Sequence, residues 1–330
     1  MSTLGAPHST STLSAVIIFT PSPLEERRPF SKPALAAAYT EFFELARKNG
    51  VELFRASTRW YSADEQLFRL AWHWDGKNWE LKKDVKPDVV FDKAATNSET
   101  LPIKKILEKQ FPFLNPLAFS LHAGSKLLVS QAFKEFAKPY YLAENQVDLE
   151  AAATEIPGAM IVIKPLQGNS GDGVSIQRKE DLGSVEARFP LLVQEFVDSS
   201  AGIPDVMIGL HDLRLIYSGE DLVYAYYRTP RAGSYLANLA KGGTQTMLDQ
   251  ESIPQAVWPV VRAVQERYRD FVSKIFTIDL IFDPSGTPWI VELNTMPGLY
   301  PDESERPHIY RLYTAIISAM KDIADKRLRL

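Results

Sequence analysis

One stretch near the C-terminal end constrains the fold more than any other: FTIDLIFDPSGTPWIVELNTMPGLYP, residues 276–301. Residues 276–282 and 289–293 are β-rich and apolar, with Asp283, Pro284, Ser285 and Gly286 supplying turn chemistry between them, so the stretch reads as a β-hairpin. Asp279, Glu292, Asn294 and Thr295 interrupt the apolar pattern. A carboxylate set into a buried strand needs a cation or hydrogen-bond donors, because its desolvation is otherwise uncompensated. Glu292 and Asn294 are two apart and share a face of their strand, and Asp279 can lie opposite them. Two carboxylates and an amide oxygen are hard donors of the kind magnesium takes beside water and substrate phosphates. From the hairpin alone a structural reading stands next to this one: Asp279 caps a bend and Glu292 pairs with a surface lysine.

The chain is long enough for one large or two to three smaller globular domains, with 330 residues, 45% of them hydrophobic and 24% charged. A net charge of -4 argues against a nucleic-acid partner, which selects for a basic face. The absence of cysteine removes disulfides, thiolate metal sites and a cysteine nucleophile. The apolar run at 15–19 is too short to span a bilayer and no basic segment precedes it, so the expectation is a soluble, cytoplasmic protein with no membrane partner. Self-association as a homodimer is left open.

In chain order, residues 1–14 are Ser/Thr-rich and read as a flexible tail. A buried strand at 15–20 leads into a proline-rich loop carrying Arg27, Arg28 and Lys32, at the kind of strand end where open α/β sheets bind ligands. A helix at 34–49 stops at Gly50, and a strand follows at 51–56. The segment 67–81 reads as a two-stranded excursion turning at Asp75 and Gly76, its Trp72, Trp74 and Trp79 expected to pack across the strands rather than hold a ligand. A strand at 87–91 and a helix at 98–110 complete a small α/β domain over 15–120. Beyond it come a helix at 122–136 and strands at 139–142, 160–164, 174–177 and 191–197, with helices at 147–155 and 179–185. Strands at 206–217 and 221–228, a long helix at 254–274, the hairpin and a closing amphipathic helix at 306–326 finish the chain.

Residues 161–174, IVIKPLQGNSGDGV, run from a strand ending in Lys164 through a loop with Gly168, Gly171 and Gly173 into another strand. Glycines let backbone N–H groups face an anion, and the lysine adds a point charge. This is not a Walker loop, since the lysine precedes the glycines and no helix follows directly. The strand LLVQEFVD at 191–198 breaks into irregular chain, an edge able to offer backbone groups to an adenine with Phe196 against the ring. Asp212 and Arg214 lie two apart on one strand face, and YYRTPRAGSYLANLAKGGT adds Arg228, Arg231, Asn238, Lys241 and the pair Gly242 and Gly243. Arginines next to an acidic metal site are what phosphate charge requires, so the group together reads as a nucleotide site.

Lys126, VIKPLQGNSGDGV, VQEFV, DLR, NLAKGG and D279 followed by ELN occur in an order that resembles the ATP-grasp superfamily. The likeness is to glutathione synthetases and peptide glutamate ligases, and the NTMPG segment is similar to D-alanine–D-alanine ligases. It covers about 120–300. The resemblance implies an α/β, in part α+β, ATP-grasp fold: a pre-grasp α/β domain at 15–120, then a grasp domain at 121–330 with a lid subdomain at 138–195 and a C-terminal subdomain at 196–330. It implies that Lys126 and Lys164 contact ATP phosphates and that the loop of Gly168, Asn169, Ser170, Gly171 and Gly173 closes over them. Gln194, Glu195, Phe196 and Val197 would hold adenine and Asp212 the ribose. Asp279, Glu292 and Asn294 would bind two magnesium ions, for which manganese can substitute. Arg214 and Arg228 would face the transferred phosphoryl group with Asn238 close by, and Gly298 would offer a backbone N–H to a tetrahedral intermediate or a substrate carboxylate. Related ligases carry arginine two residues before the Asn of the NL–GG segment, where this chain has Leu236, so either Arg231 substitutes or the substrate is held differently.

The implied reaction joins the carboxylate of a small molecule or peptide to an amine, through an acyl phosphate, with release of ADP and phosphate. Two alternatives stand beside it. An ATP-grasp kinase similar to inositol phosphate kinases also places Pro-Gly after the metal Asn, but would surround its acceptor with Lys and Arg, whereas the segment PDESERP is acidic. A non-catalytic nucleotide-binding protein is disfavoured by the retained acids, lysines and glycines.

Overall fold

A computed structural model describes residues 12–166, 173–184, 188–239, 242–302 and 304–328. Residues 1–11, the loop positions Gly168, Asn169, Ser170 and Gly171, and Lys241 lie outside the described residues. The elements run β1 (Leu13–Phe19), α1 (Pro33–Lys48), β2 (Val51–Ser57), β3 (Tyr61–Ser62), β4 (Leu67–Trp74), β5 (Trp79–Val85), β6 (Val89–Asp92), α2 (Thr100–Gln110), β7 (Phe113–Leu114), α3 (Leu117–Ala123) and α4 (Lys126–Ala132). They continue with β8 (Tyr140–Ala143), α5 (Gln146–Glu155), β9 (Met160–Pro165), β10 (Ser175–Arg178), β11 (Leu191–Glu195), β12 (Asp212–Ser218) and β13 (Asp221–Thr229). The chain closes with β14 (Thr244–Leu248), α6 (Val257–Arg267), β15 (Ile275–Phe282), β16 (Pro288–Asn294) and α7 (Arg306–Leu328).

Two compact units emerge: Met1–Leu117 with Gly298–Pro301 and Ile309–Leu330, and Ala118–Pro297 with Asp302–His308. The first holds a sheet ordered β3-β4-β2-β1-β6-β7 with β5 on β4. Its parallel centre, β2-β1-β6-β7, is buried on both faces, which is why 15–18 read as unbroken apolar sequence. Trp74 pairs with Trp79 across β4 and β5, and Trp79 packs on Phe43 of α1 at 4.8 Å, so these tryptophans serve cross-strand packing. The later part of α7 joins this unit: Tyr313 stacks on Phe42 at 4.8 Å and donates to the carbonyl of Leu299.

The second unit carries a four-stranded sheet, β10-β9-β11-β8, and a five-stranded antiparallel sheet, β14-β13-β12-β15-β16. The helix expected over 122–136 is two helices. A Cβ at Gly124 would come within 2.6 Å of the Ser120 carbonyl, and Ser125 caps a new helix by accepting from the Leu128 N–H, so Lys126 enters on a first turn. The helix expected over 254–274 is confined to α6, after which Tyr268 turns inward onto Phe119 and Phe133. The 206–217 strand starts only at Asp212, because a Gly202 turn and an Ile203–Met207 bridge fold the preceding segment on itself. The segment expected as a helix over 179–185 is 3-10 at Lys179–Ser184. No described helix is long and apolar enough to cross a membrane.

Candidate functional site

Opposed residues of an antiparallel pair share a face, so the register of the five-stranded sheet sorts its side chains. Leu213, Leu215, Tyr217, Ile278, Leu280, Phe282 and Leu293 go to one face, into a core with Val257, Val260, Val261 and Val264 of α6. The opposite face is polar. Gln245 faces Arg228, Arg228 faces Asp212, Arg214 lies between Tyr226 and Asp279, Asp279 faces Glu292 and Thr277 faces Asn294. Six of the sequence-expected positions, Arg214, Arg228, Asp212, Asp279, Glu292 and Asn294, thus stand on one sheet face.

Buried charges on this face are paired. Arg214 is bidentate to Asp279, with Nε at 2.8 Å from Oδ1 and Nη2 on Oδ2. Arg228 Nη2 donates to Asp212 Oδ2 at 2.6 Å and to Asp279 Oδ2 at 3.3 Å, and Thr277 Oγ1 donates to Asp279 Oδ1 at 3.0 Å. Burial alone would raise the Asp279 pKa, but the two arginines and Thr277 hold it below the usual carboxylate range. Glu292 is pushed the other way, by burial and then by the negative charge of Asp279. Its carboxylate lies 3.8 Å from the Lys126 ammonium. The second oxygen of Asp212, Oδ1, is buried and accepts no hydrogen bond among the described residues.

The magnesium that the resemblance implies meets a partly committed donor set. Both Asp279 oxygens are engaged by donors, and Asn294 Oδ1 accepts from the Met296 N–H at 2.8 Å. No group of three or more His, Cys, Asp or Glu side chains converges among the described residues. Two carboxylates and an amide oxygen fit a magnesium ion that keeps water and phosphate ligands rather than one caged by protein. For Asp279 to bind it, a guanidinium contact must be given up, and a phosphate is the natural new partner for that arginine.

Beside the polar face an open cavity of about 1060 Å³, its mouth included, lies within the second unit. Lys126, Lys164, Gln194, Glu195, Phe196, Val197, Asp212, Asn238 and Glu292 line it, so the adenine, ribose and phosphate expectations converge on one space. Val162, Val174, Ile176, Leu210, Ile281 and Trp289 give it apolar walls. Lys164 donates to Gln194 Oε1 at 3.0 Å, and burial lowers its pKa to about 8. Phe196 meets Tyr235 edge to face at 5.2 Å. Leu236 also lines the cavity, whereas Arg231 is exposed at a turn. Gly243 has no room for a side chain, a Cβ there falling 2.3 Å from the Ala237 carbonyl, which explains a glycine in the NLAKGG segment. Gly173 sits at φ +73° just before β10. Gly298 is grouped with the first unit, whereas the residues of this face belong to the second.

Three cavity residues escaped the sequence reading. Lys138 holds its ammonium 4.0 Å over the Trp289 ring and 3.7 Å from Glu195. Trp289 looked like one more apolar strand residue, and only the register shift between Asp279 and Leu280 turns it toward the cavity. His211 accepts from the Phe282 N–H through Nε2 and faces the Gly209 carbonyl through Nδ1, so the proton sits on Nδ1. Burial lowers its pKa and keeps it neutral. The HD pair in the sequence was the available signal for it.

Residues 125–307 match the family model of the RimK-like ATP-grasp domain. A probable alpha-L-glutamate ligase of Thioalkalivibrio sulfidiphilus (strain HL-EbGR7) is 29% identical over 164 residues, covering 48% of this chain and 49% of the relative. The chain thus spans about half the length of the curated relatives it matches. Among solved structures, D-alanyl-alanine synthetase A from Vibrio cholerae O1 biovar eltor str. N16961 superposes with a TM-score of 0.64 at 16% identity, over 95% of this chain and 99% of that one. Macrocyclase MdnC bound with precursor peptide MdnA, from Microcystis aeruginosa MRC, gives 0.57 at 18% identity, over 93% and 99%. These two likenesses carry the fold, and the matched domain spans more than half of the chain: it belongs to the RimK-like ATP-grasp family.

Proposed function

We propose that this chain is an ADP-forming carboxylate–amine ligase. The observation that carries the reading is the single polar sheet face on which Arg214, Arg228, Asp279 and Glu292 stand beside a cavity lined by Lys126 and Lys164. A substrate carboxylate oxygen attacks the γ-phosphorus of ATP and ADP leaves. The nitrogen of an amine then attacks the acyl carbon, phosphate leaves, and the amine proton is lost to solvent or a base. Lys126, Lys164 and the two arginines neutralise the phosphoryl oxygens in both steps. Magnesium, held by Asp279, Glu292 and Asn294, would add Lewis-acid charge at those oxygens. The apolar walls and the Gln194–Val197 edge would take adenine, and Asp212 the ribose. The relative's name makes L-glutamate the amino acid to test first, with a small-molecule or peptide carboxylate as its partner.

The experiment supplies purified full chain with Mg-ATP, a panel of carboxylates, and either L-glutamate and other amines or hydroxylamine. An acyl phosphate is an electrophile that hydroxylamine traps as a hydroxamate. Hydroxamate and ADP are expected together, and Glu292→Gln should lower both on the order of 100-fold. Glu155→Gln, at the exposed end of α5, should leave them unchanged. A stable phosphate ester of an alcohol, with no hydroxamate from any carboxylate, would overturn the ligase reading in favour of a kinase.

A further inference from the structure

Glu305 is a buried acid that the nucleotide site does not use. It belongs to the second unit, in the acidic segment before α7, and is 6% exposed. Asp302 caps the start of that segment by accepting from the Glu305 N–H at 2.9 Å, which accounts for the backbone but not for where the side chain goes. The side chain reaches the polar face of the five-stranded sheet, where the Tyr224 hydroxyl donates to Oε1 at 2.5 Å. Tyr224 lies two residues from Tyr226 and four from Arg228 on the same face of β13. Burial raises the Glu305 pKa, while Tyr224, Gln245 and the field of Arg214 favour its charged form and Asp302 opposes it.

A second, independent feature points into the same space. Gln245 is 9% exposed and stands opposite Arg228 on β14. Its amide is close enough to favour the Glu305 carboxylate, yet neither Nε2 nor Oε1 has a hydrogen bond of good geometry among the described residues. Leaving a buried amide unpaired is destabilising, because its lost contacts with water are not replaced. Nor does Glu305 form an ion pair among the described residues, although a desolvated carboxylate gains most from one. A carboxylate held through one oxygen by Tyr224 and an amide without a hydrogen bond of good geometry lie next to arginines that would hold a phosphoryl group. An ammonium group, with three N–H donors and one positive charge, complements them.

We infer that Glu305, with Gln245, forms the subsite that takes up the acceptor amine as its ammonium ion, and so selects an amine that is protonated in solution and gives up one proton, to solvent or to the Glu305 carboxylate, before its nitrogen attacks. The inference rests on the ligase reading for its place in the reaction, but the subsite itself is a binding claim. Tyr224 fixes one carboxylate oxygen, the other faces the ammonium, and Gln245 Oε1 takes a further N–H. The acidic character of PDESERP, which has no part in holding ATP phosphates, then has a use.

Saturation-transfer NMR on the full chain with Mg-ADP tests the subsite directly, using n-propylammonium chloride against its uncharged isostere n-propanol. Transfer to propylammonium at least fivefold above propanol is expected, and Glu305→Gln should remove the difference while keeping shape and hydrogen-bonding capacity. Propylammonium binding that is absent from the parent, or equal in the parent and Glu305→Gln, overturns the subsite. A kinetic arm compares kcat/KM for a protonated amine with that for hydroxylamine, which is neutral at pH 7.5. Glu305→Gln should shift that ratio at least tenfold against the protonated amine, through KM. A parallel loss of both reactions marks a structural role and overturns the inference. Hydroxamate missing from the parent removes the ligase reading, while the NMR result still decides the subsite.

Discussion

Lys164 ends β9 with its ammonium buried, 8% exposed, and hydrogen-bonded to Gln194. Burial pushes its pKa down to about 8, against the pull of Glu292 and with a smaller push from Lys126. A phosphate beside it restores the cation, so nucleotide binding above pH 8 takes up a proton. Mg-ADP affinity is therefore expected to hold level to about pH 7.5 and then to fall, approaching tenfold per pH unit above the pKa of about 8. Calorimetric titrations at pH 7, 8, 9 and 10 read this, and Lys164→Met should bind more weakly with a flat profile. A parent whose affinity is pH-independent would remove Lys164 from the phosphate site. The sign for folding is opposite. An unfolded lysine stays protonated to its ordinary 10.5, so this group's contribution to stability rises with pH between about 8 and 10.5. At this scale the sequence was most legible for residues whose chemistry is costly to bury. Asp279 in an apolar strand and Lys164 at the end of another announced themselves, whereas Glu305 sat in a segment that read only as acidic.

The hairpin of β15 and β16 shows what an element adds. Its pairing is regular from Thr277–Asn294 to Asp279–Glu292 and then slips by one residue, so that Leu280 meets Ile290. The slip changes the parity of β16: Glu292 and Asn294 keep the polar face, Ile290 enters the core, and Trp289 turns with Ile281 to the cavity wall. Trp289→Ala removes that wall and the ring under Lys138, an interaction of about 0.5–2 kcal/mol before any lost apolar contact. Mg-ADP affinity should fall roughly tenfold, equivalent to about 1.4 kcal/mol, with secondary structure retained. Trp74→Ala, on β4 of the first unit, is the matched control and should bind as the parent does. Equal affinities for Trp289→Ala and the parent would take Trp289 out of the nucleotide site. The hairpin and its acids were readable from alternation and turn residues, but no local pattern marks a bulge. The same holds for the break at Gly124, where apolar periodicity alone runs on through 122–136.

Across the whole molecule, the residues that line the cavity all belong to the second of the two units. A ligand that binds only the folded unit stabilises it by about 2.7 kcal/mol at a concentration of 100 times its Kd. Hydrogen exchange with saturating Mg-ADP should therefore slow amides of β9, β11, β12, β15 and β16, which frame the cavity, and leave those of β1, β2 and β6 little changed. Equal slowing in both units would mean that they open together, and no slowing in β15 and β16 would remove the cavity as the nucleotide site. What the sequence determined by itself was the family and the chemical inventory. Glycines before a strand, a lysine at a strand end, arginines at fixed spacing and acids within a hairpin are local features, set by backbone conformation and by the cost of buried charge. Tertiary structure alone decided which of these meet and in what state. Arg214 and Arg228 lie 65 and 51 residues from Asp279 along the chain, yet they hold its carboxylate, and Glu305 lies 81 residues from the Tyr224 hydroxyl that fixes it. Strand register sets such pairings, and register depends on which strands become neighbours, a property that no window of sequence contains.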